Sequence, residues 1–363
     1  MMYMPKLPYN MKTYRVILSF DNLMSKQMSA NIIIFISPKS QRKMKVYLLF
    51  PLIALLSCNT IKNPGQAQTG QHFSKIEQQL LKDVEILSSD AYEGRKTATK
   101  GAEMARAYLS TRFKQIGLKP IPSLVGYEQP FSFKNTKGVE IHGKNMLAYI
   151  PGKDQQVIVI SAHYDHVGVM NGEVYNGADD NASGIAALLN FAAYYKKNQP
   201  NHTLIFAAFD AEEMGLRGSK AFVDKAPVPL EKIRMNINMD MISHNDKGEL
   251  YACGTYKYPE LKKYFITTDP KIKVLLGHDD PKTGREDWTN QSDQGSFNAK
   301  DIPFIYFGVE DHKDYHKASD EFQNINKKFF TDATASILEI INNIDKERNL
   351  QSIFREKLRM KKQ

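Results

Sequence analysis

Val157-Ile158-Val159-Ile160-Ser161-Ala162-His163-Tyr164-Asp165 begins with four consecutive β-branched residues and ends on a histidine and an aspartate two positions apart. An unbroken Val/Ile run reads as a strand buried on both faces, the situation of a parallel sheet covered by helices. Three other runs share this design: Thr203 to Ala208 precedes Glu212-Glu213, Arg234 to Asn238 precedes Asp240, and Pro303 to Phe307 precedes His316. Helical spacing separates them, as in Gly184 to Lys196, where Ile185, Leu188, Leu189 and Ala192 share a face. Helices are also expected over Ile76 to Leu87, Ala102 to Ile116 and Phe329 to Ile344, with a first strand at Asn145 to Ile150. The predicted fold class is α/β: a mixed, mainly parallel central sheet flanked by helices on both faces. Sites in such sheets form at the carboxyl ends of the strands, so residues far apart in sequence are expected on one rim.

The residues expected there are donors for a borderline cation. Zinc takes imidazole nitrogen and carboxylate oxygen, and catalytic zinc keeps a position open for water. His163, Asp180, Glu213, Asp240 and His316 offer two imidazoles and three carboxylates, which suits two ions sharing one bridging carboxylate. Two dications against three carboxylates leave one positive charge, which a hydroxide neutralises; a single ion would leave the cluster over-anionic. Spacing does not separate Asp179 from Asp180 as the ligand. Glu212, beside Glu213, has no ligand role and is placed as the proton shuttle for a water whose pKa the ions lower to about 7. Asp165 stands two residues from His163, on the same face of an extended chain, and is placed as the partner that orients its ring.

With these residues in view, the chain resembles the co-catalytic zinc exopeptidases of peptidase family twenty-eight, clan MH. The resemblance runs from Tyr92-Glu93-Gly94-Arg95 to Asp320, through Gly177-Ala178-Asp179-Asp180-Asn181-Ala182-Ser183-Gly184 and Glu212-Glu213-Met214-Gly215-Leu216-Arg217-Gly218-Ser219. It implies a zinc-exopeptidase, phosphorylase/hydrolase-like fold, two Zn2+ with Co2+ or Mn2+ as substitutes, and a peptide substrate, most simply for an aminopeptidase. It implies that Asp180 bridges, that His163 and Asp240 complete one ion, and that Glu213 and His316 complete the other. Glu212 is then the base, Asp179 stays outside the ligand set, and a non-proline cis peptide follows Asp180. One departure is plain: relatives read Ser-Asp-His where this chain has Ser292-Asp293-Gln294, which places substrate contacts in question. Two other readings compete, a single-zinc enzyme like the glutaminyl cyclases, which resemble this fold, and a peptidase-like binding module without metal.

Several residues take the plainer reading. His166, His244, His278 and His312 lie near the motifs without an assigned partner and are left off the site. Ser183 reads as the cap of the helix from Gly184, and Ser292 or Asp293 either orients His316 or caps a helix near Ser296. Cys253, in Leu250-Tyr251-Ala252-Cys253, reads as a buried strand residue. Trp288, Tyr256 and Tyr306 are candidates for the substrate pocket.

The net charge of +9 suggests nucleic acid until it is located. Residues 1–58 hold eight Lys or Arg against Asp21 alone, a surplus of +7, which leaves +2 for the rest and argues against a nucleic-acid partner. Lys43 and Lys45 precede an apolar run, Val46 to Leu56, and then Leu55-Leu56-Ser57-Cys58. That is a secretory signal with a bacterial lipobox, so Cys58 is the expected lipid anchor and the cell envelope the expected address. The domain reading follows: 1–43 an over-extended gene start, 44–58 the lipoprotein signal peptide, 59–71 a tether, 72–345 the catalytic domain, and 346–363 a basic tail. After lipidation only Cys253 would remain, so no intramolecular disulfide is expected.

Overall fold

The four apolar runs form the centre of a nine-stranded sheet in a computed structural model that describes residues 73–266 and 271–350. The expected gene start, signal peptide and tether, and all but the first residues of the basic tail, lie outside the described residues. In chain order the strands are β1 (Lys119–Pro120), β2 (Glu128–Lys134), β3 (Glu140–Ile150), β4 (Val157–His163), β5 (Gly168–Met170), β6 (Glu173–Tyr175), β7 (Thr203–Phe209), β8 (Ile233–Met239), β9 (Glu249–Cys253), β10 (Lys273–Leu276) and β11 (Phe304–Gly308). The helices are α1 (Lys75–Leu87), α2 (Lys100–Ile116), α3 (Gly184–Lys197), α4 (Arg217–Asp224), α5 (Gln294–Asn298) and α6 (Lys327–Asp345). No helix among the described residues is long and apolar enough to cross a membrane.

The sheet runs β1-β3-β7-β4-β8-β11-β9-β10, with β2 paired to β3, while β5 and β6 form a separate ribbon. The central strands β7, β4, β8 and β11 are mutually parallel, and antiparallel pairings flank them at β3·β7 and β11·β9. Strand alternation sorts the core. Ile158, Ile160 and Ala162 of β4 join the cluster that holds α1, α2, α3 and α6, whereas Val157 and Val159 join the one that holds Phe222 of α4 and Phe297 of α5. Both faces are therefore covered, which is why β4 is buried along its whole length and its sequence does not alternate.

The first strand starts earlier than its apolar residues suggest. β3 spans Glu140–Ile150, and its N-terminal half pairs only with β2, leaving Glu140 and His142 exposed. A strand wet on one face carries polar residues there and hides from a search for apolar runs. Cys253 ends β9 and is buried, as expected.

The turn that launches α3 also differs from expectation. Ser183 makes no side-chain cap. Instead, Asn181 Oδ1 accepts from Gly184 N at 2.9 Å, while Ser183 Oγ donates to Asp179 O at 2.7 Å. Asn181 Nδ2 also donates to Met239 O at 2.9 Å, so one amide ties the start of α3 to the end of β8. Gly184 has no room for more: a Cβ there would lie 2.6 Å from Met239 O. Gly184→Ala is expected to cost about 1–3 kcal/mol through overpacking, read as a lower urea midpoint; an unchanged midpoint would show that this turn is slack.

Candidate metal centre

Four of the five donors sit at or beyond the end of a central strand. His163 is the last residue of β4, Glu212-Glu213 follow β7, Asp240 follows β8, and His316 lies in the loop after β11. Asp180 lies in the turn Ala178–Ser183 before α3, and its peptide bond to Asn181 is cis. Ala211, Met241 and His316 have φ of 57°, 60° and 53°, left-handed values that non-glycine residues hold only where surrounding contacts impose them.

Two groups of donors meet at Asp180. In the first, His163 Nε2 is 3.3 Å from Asp180 Oδ1 and 3.2 Å from Asp240 Oδ1. His163 Nδ1 donates to the carbonyl of Asp165 at 3.1 Å, and Nε2 faces two carboxylates, within hydrogen-bond distance of Asp240 Oδ1. In the second, His316 Nε2 is 3.1 Å from Asp180 Oδ2 and 3.4 Å from Glu213 Oε1. The expected residues therefore come together.

His166, left off the site by sequence reasoning, belongs to the second group. It is buried, and its Nδ1 lies 2.9 Å from Glu213 Oε1 and 3.7 Å from Asp180 Oδ2. Neither ring nitrogen of His166 nor Glu213 Oε1 is hydrogen-bonded. A short contact between a nitrogen and an oxygen without the alignment of a hydrogen bond is what two lone pairs aimed at one cation produce. Donors about 2.1 Å from a tetrahedral zinc stand about 3.4 Å apart, so the spacings of both groups fit that ion.

Asp165 orients the His163 ring, as expected, by its backbone oxygen. Its carbonyl, not its carboxylate, takes the His163 proton. The carboxylate Oδ1 is 3.7 Å from His163 Nδ1 and instead accepts Glu212 N at 3.0 Å, while Oδ2 faces Glu213 N at 3.4 Å. The strand ends at His163, so same-face alternation no longer governs Asp165. One residue thereby orients the histidine and holds the segment that carries Glu212 and Glu213.

Glu212 has the environment of a proton carrier. Burial pushes its carboxyl pKa well above the usual range, with Asp240, Asp293 and Glu213 adding to the effect and His163 opposing it. Asp293 is wholly buried with neither oxygen hydrogen-bonded, and burial carries it to about 7. Neither Ser292 nor Asp293 plays its sequence-based part as a side-chain cap of α5. Ser292 Oγ accepts from Asn238 Nδ2 at 3.0 Å, as does Gln294 Oε1. Gln294, the departure from the family pattern, is buried, and it donates to Trp288 O at 2.8 Å. It braces β8 beneath Asp240. Among the pocket candidates, Tyr306 donates to Asp240 O at 3.2 Å, Trp288 stacks on His278 at 3.7 Å, and Tyr256 is exposed.

The choice between adjacent aspartates is made by hydrogen bonds. Asp179 Oδ1 accepts from Ser243 N and Oγ at 2.7 and 2.8 Å, and Oδ2 accepts from His312 Nε2 at 2.9 Å. It points away from the donors that surround Asp180. The backbone at this pair is clamped by Asp320, whose two oxygens accept Asp179 N at 2.9 Å and Asp180 N at 3.0 Å.

The sequence pattern of Peptidase family M28 matches residues 145–341, the span that contains every donor. The chain belongs to peptidase family M28. Among its relatives, Aminopeptidase YwaD of Bacillus subtilis is 35% identical over 103 residues, covering 28% of this chain and 22% of that protein. A vacuolar membrane protease of Schizosaccharomyces pombe is 42% identical over 145 residues, 39% of this chain and 16% of that protein. The M28 chain thus matches only about a fifth of these relatives' lengths. In fold it is similar to an aminopeptidase from Aneurinibacillus sp. strain AM-1, with 16% identity, a TM-score of 0.58 and coverage of 73% and 92% of the two chains. It is equally similar to a glutaminyl cyclase of Bacteroides thetaiotaomicron, with 18% identity, a TM-score of 0.59 and coverage of 74% and 97%. These likenesses establish the fold and leave the chemistry to the site.

Proposed function

We propose that this M28 chain is a di-zinc exopeptidase, an aminopeptidase in the first instance, that removes residues from the N-terminus of peptides. The observation that carries this reading is the sharing of Asp180 by two donor groups, one with His163 and Asp240, the other with Glu213, His316 and His166. Zinc bound there supplies Lewis acidity for the scissile carbonyl and lowers the pKa of water to about 7. Glu212 takes the proton of the attacking water and passes it to the leaving amine. Asp165 keeps Glu212 in place through its amide, and Asp320 keeps Asp180 in place through two. The lipid anchor on Cys58 and an envelope address belong to the same proposal and follow from the leader's sequence alone.

Chelation of the purified protein is expected to abolish peptide hydrolysis, and added zinc to restore it at about two equivalents per chain. Products from a mixed peptide library should show sequential loss of N-terminal residues. The cyclase fold neighbour gives a second outcome to watch: one zinc per chain with ammonia release from glutamine-initiated peptides would replace the peptidase reading.

A further inference from the structure

Gln294 ties the segment that carries Trp288 to the two strands that end at the first donor group. It is wholly buried. Its Nε2 donates to Trp288 O at 2.8 Å, and its Oε1 accepts from Asn238 Nδ2 at 3.0 Å. Asn238 Nδ2 also donates to Ser292 Oγ at 3.0 Å, and Asn238 Oδ1 accepts from Ser161 Oγ at 2.7 Å. Ser161 lies two residues before His163, and Asn238 two before Asp240. One buried chain of hydrogen bonds therefore runs from the Trp288 carbonyl to the strands that present both residues.

The remaining contacts of Trp288 are local or aromatic. Its amide donates to His278 O at 2.7 Å, and its carbonyl also takes Gln291 N at 3.1 Å. The indole stacks on His278 with centroids 3.7 Å apart and meets Tyr251 and Tyr306 edge-on at 5.7 and 6.1 Å. Tyr306 in turn donates to Asp240 O. Trp288 is half-buried, so it stands one ring away from a donor with part of its surface open. The far end of the same segment also lies by the chemistry, since the charge of Asp293 acts on Glu212. An aromatic surface in this place offers apolar area to whatever side chain is held beside the metal centre.

We propose that Gln294 is a positioning residue for substrate selectivity: it holds Trp288 as the wall of the pocket for the N-terminal side chain, which favours a large apolar residue. This inference rests on the peptidase reading above. The amide suits the task, because its acceptor and donor sit side by side at the end of a flexible stem and meet Asn238 and Trp288 together. An imidazole, the group the family pattern has here, carries its two nitrogens on separate sides of a rigid ring and loses one of the two partners.

Trp288 is the only tryptophan in the chain, so intrinsic fluorescence reports its place directly. The zinc-loaded full chain is compared with Gln294→His, Gln294→Met, Trp288→Leu, and Gln294→His in the Trp288→Leu background. Both Gln294 variants are expected to raise acrylamide quenching of Trp288. They should also lower kcat/KM for leucine-initiated against alanine-initiated tripeptides about tenfold, the low end of what a pocket contact contributes to discrimination. Zinc content should stay at the parental value. Trp288→Leu should lower the same ratio, and Gln294→His should add nothing to it, because effects that pass through one residue are not additive. Unchanged quenching, an unchanged ratio, additive losses, or loss of zinc in both Gln294 variants each overturns the assignment. A parent chain that hydrolyses neither tripeptide refutes the peptidase reading and this inference with it, whereas hydrolysis with unaltered preference in the variants refutes the inference alone.

Discussion

Glu212→Gln is expected to lower peptide turnover about 10²–10⁴-fold, the range for removing a positioned general base, while zinc content stays at the wild-type value. Glutamine keeps the shape of the side chain and its backbone anchor on Asp165, and it loses only the capacity to accept and return a proton. The assignment rests on two facts. Glu212 is neighbour to Glu213, which enters the donor group at Asp180, and it is not itself part of either group. Burial and three nearby carboxylates also raise its affinity for a proton. Near-normal turnover in the variant would remove Glu212 from the chemistry. Loss of zinc together with turnover would show instead that Glu212 is a ligand.

Arg95→Met should cost about 3–5 kcal/mol of stability, the penalty for breaking a buried charged network, and lower zinc occupancy with it. Arg95 is 1% exposed. Its guanidinium donates to four carbonyls: Nε to Tyr164 O at 2.8 Å, Nη1 to Leu87 O and Asn176 O at 2.7 and 2.6 Å, and Nη2 to Gly177 O at 2.9 Å. Tyr164 follows directly on His163, and Asn176 and Gly177 precede Asp180 by a few residues, so one side chain sets both ligand-bearing turns. Burial pulls its pKa to about 10, against the pull of Asp180, Asp320, Asp165 and Glu213, and it stays charged at neutral pH. Methionine fills part of the volume and takes away the guanidinium from the carbonyls of Leu87, Tyr164 and Asn176, each a penalty of about 1–3 kcal/mol before relaxation, while Gly177 O keeps only Ala182 N at 3.2 Å. Arg95→Lys should recover little, because an ammonium cannot span four carbonyls set around a planar fork. A urea midpoint within experimental scatter of wild type in Arg95→Met would refute this role.

Arg95 shows how far motif reading reaches. The string Tyr92-Glu93-Gly94-Arg95 marked the start of the family resemblance, yet nothing in it tells which carbonyls the guanidinium meets. Those carbonyls belong to residues 8 to 82 positions away. A link of that span exists only after the chain has folded back on the sheet.

His166 and Asp165 mark the limit more sharply, because both lie past the end of a strand. On an extended strand Asp165 would share the face of His163 and His166 would point the other way. β4 stops at His163. Past that residue the backbone turns, so the Asp165 carboxylate swings to the Glu212 amide and His166 is brought against Glu213.

The sequence by itself determined the parallel centre of the sheet, the strand ends as the place of the site, and four of the five donors, His163, Glu213, Asp240 and His316, with Glu212 beside them. Those features are local: an apolar run buried on both faces needs no partner to be recognised, and carboxylates and imidazoles after such runs have a common destination. Only the tertiary structure decided which of Asp179 and Asp180 faces the other donors, what Asp165 holds, where Arg95 reaches, and that His166 lies against Glu213. Each depends on directions taken where strands end and turns begin, and there the regular periods that make a sequence readable no longer apply.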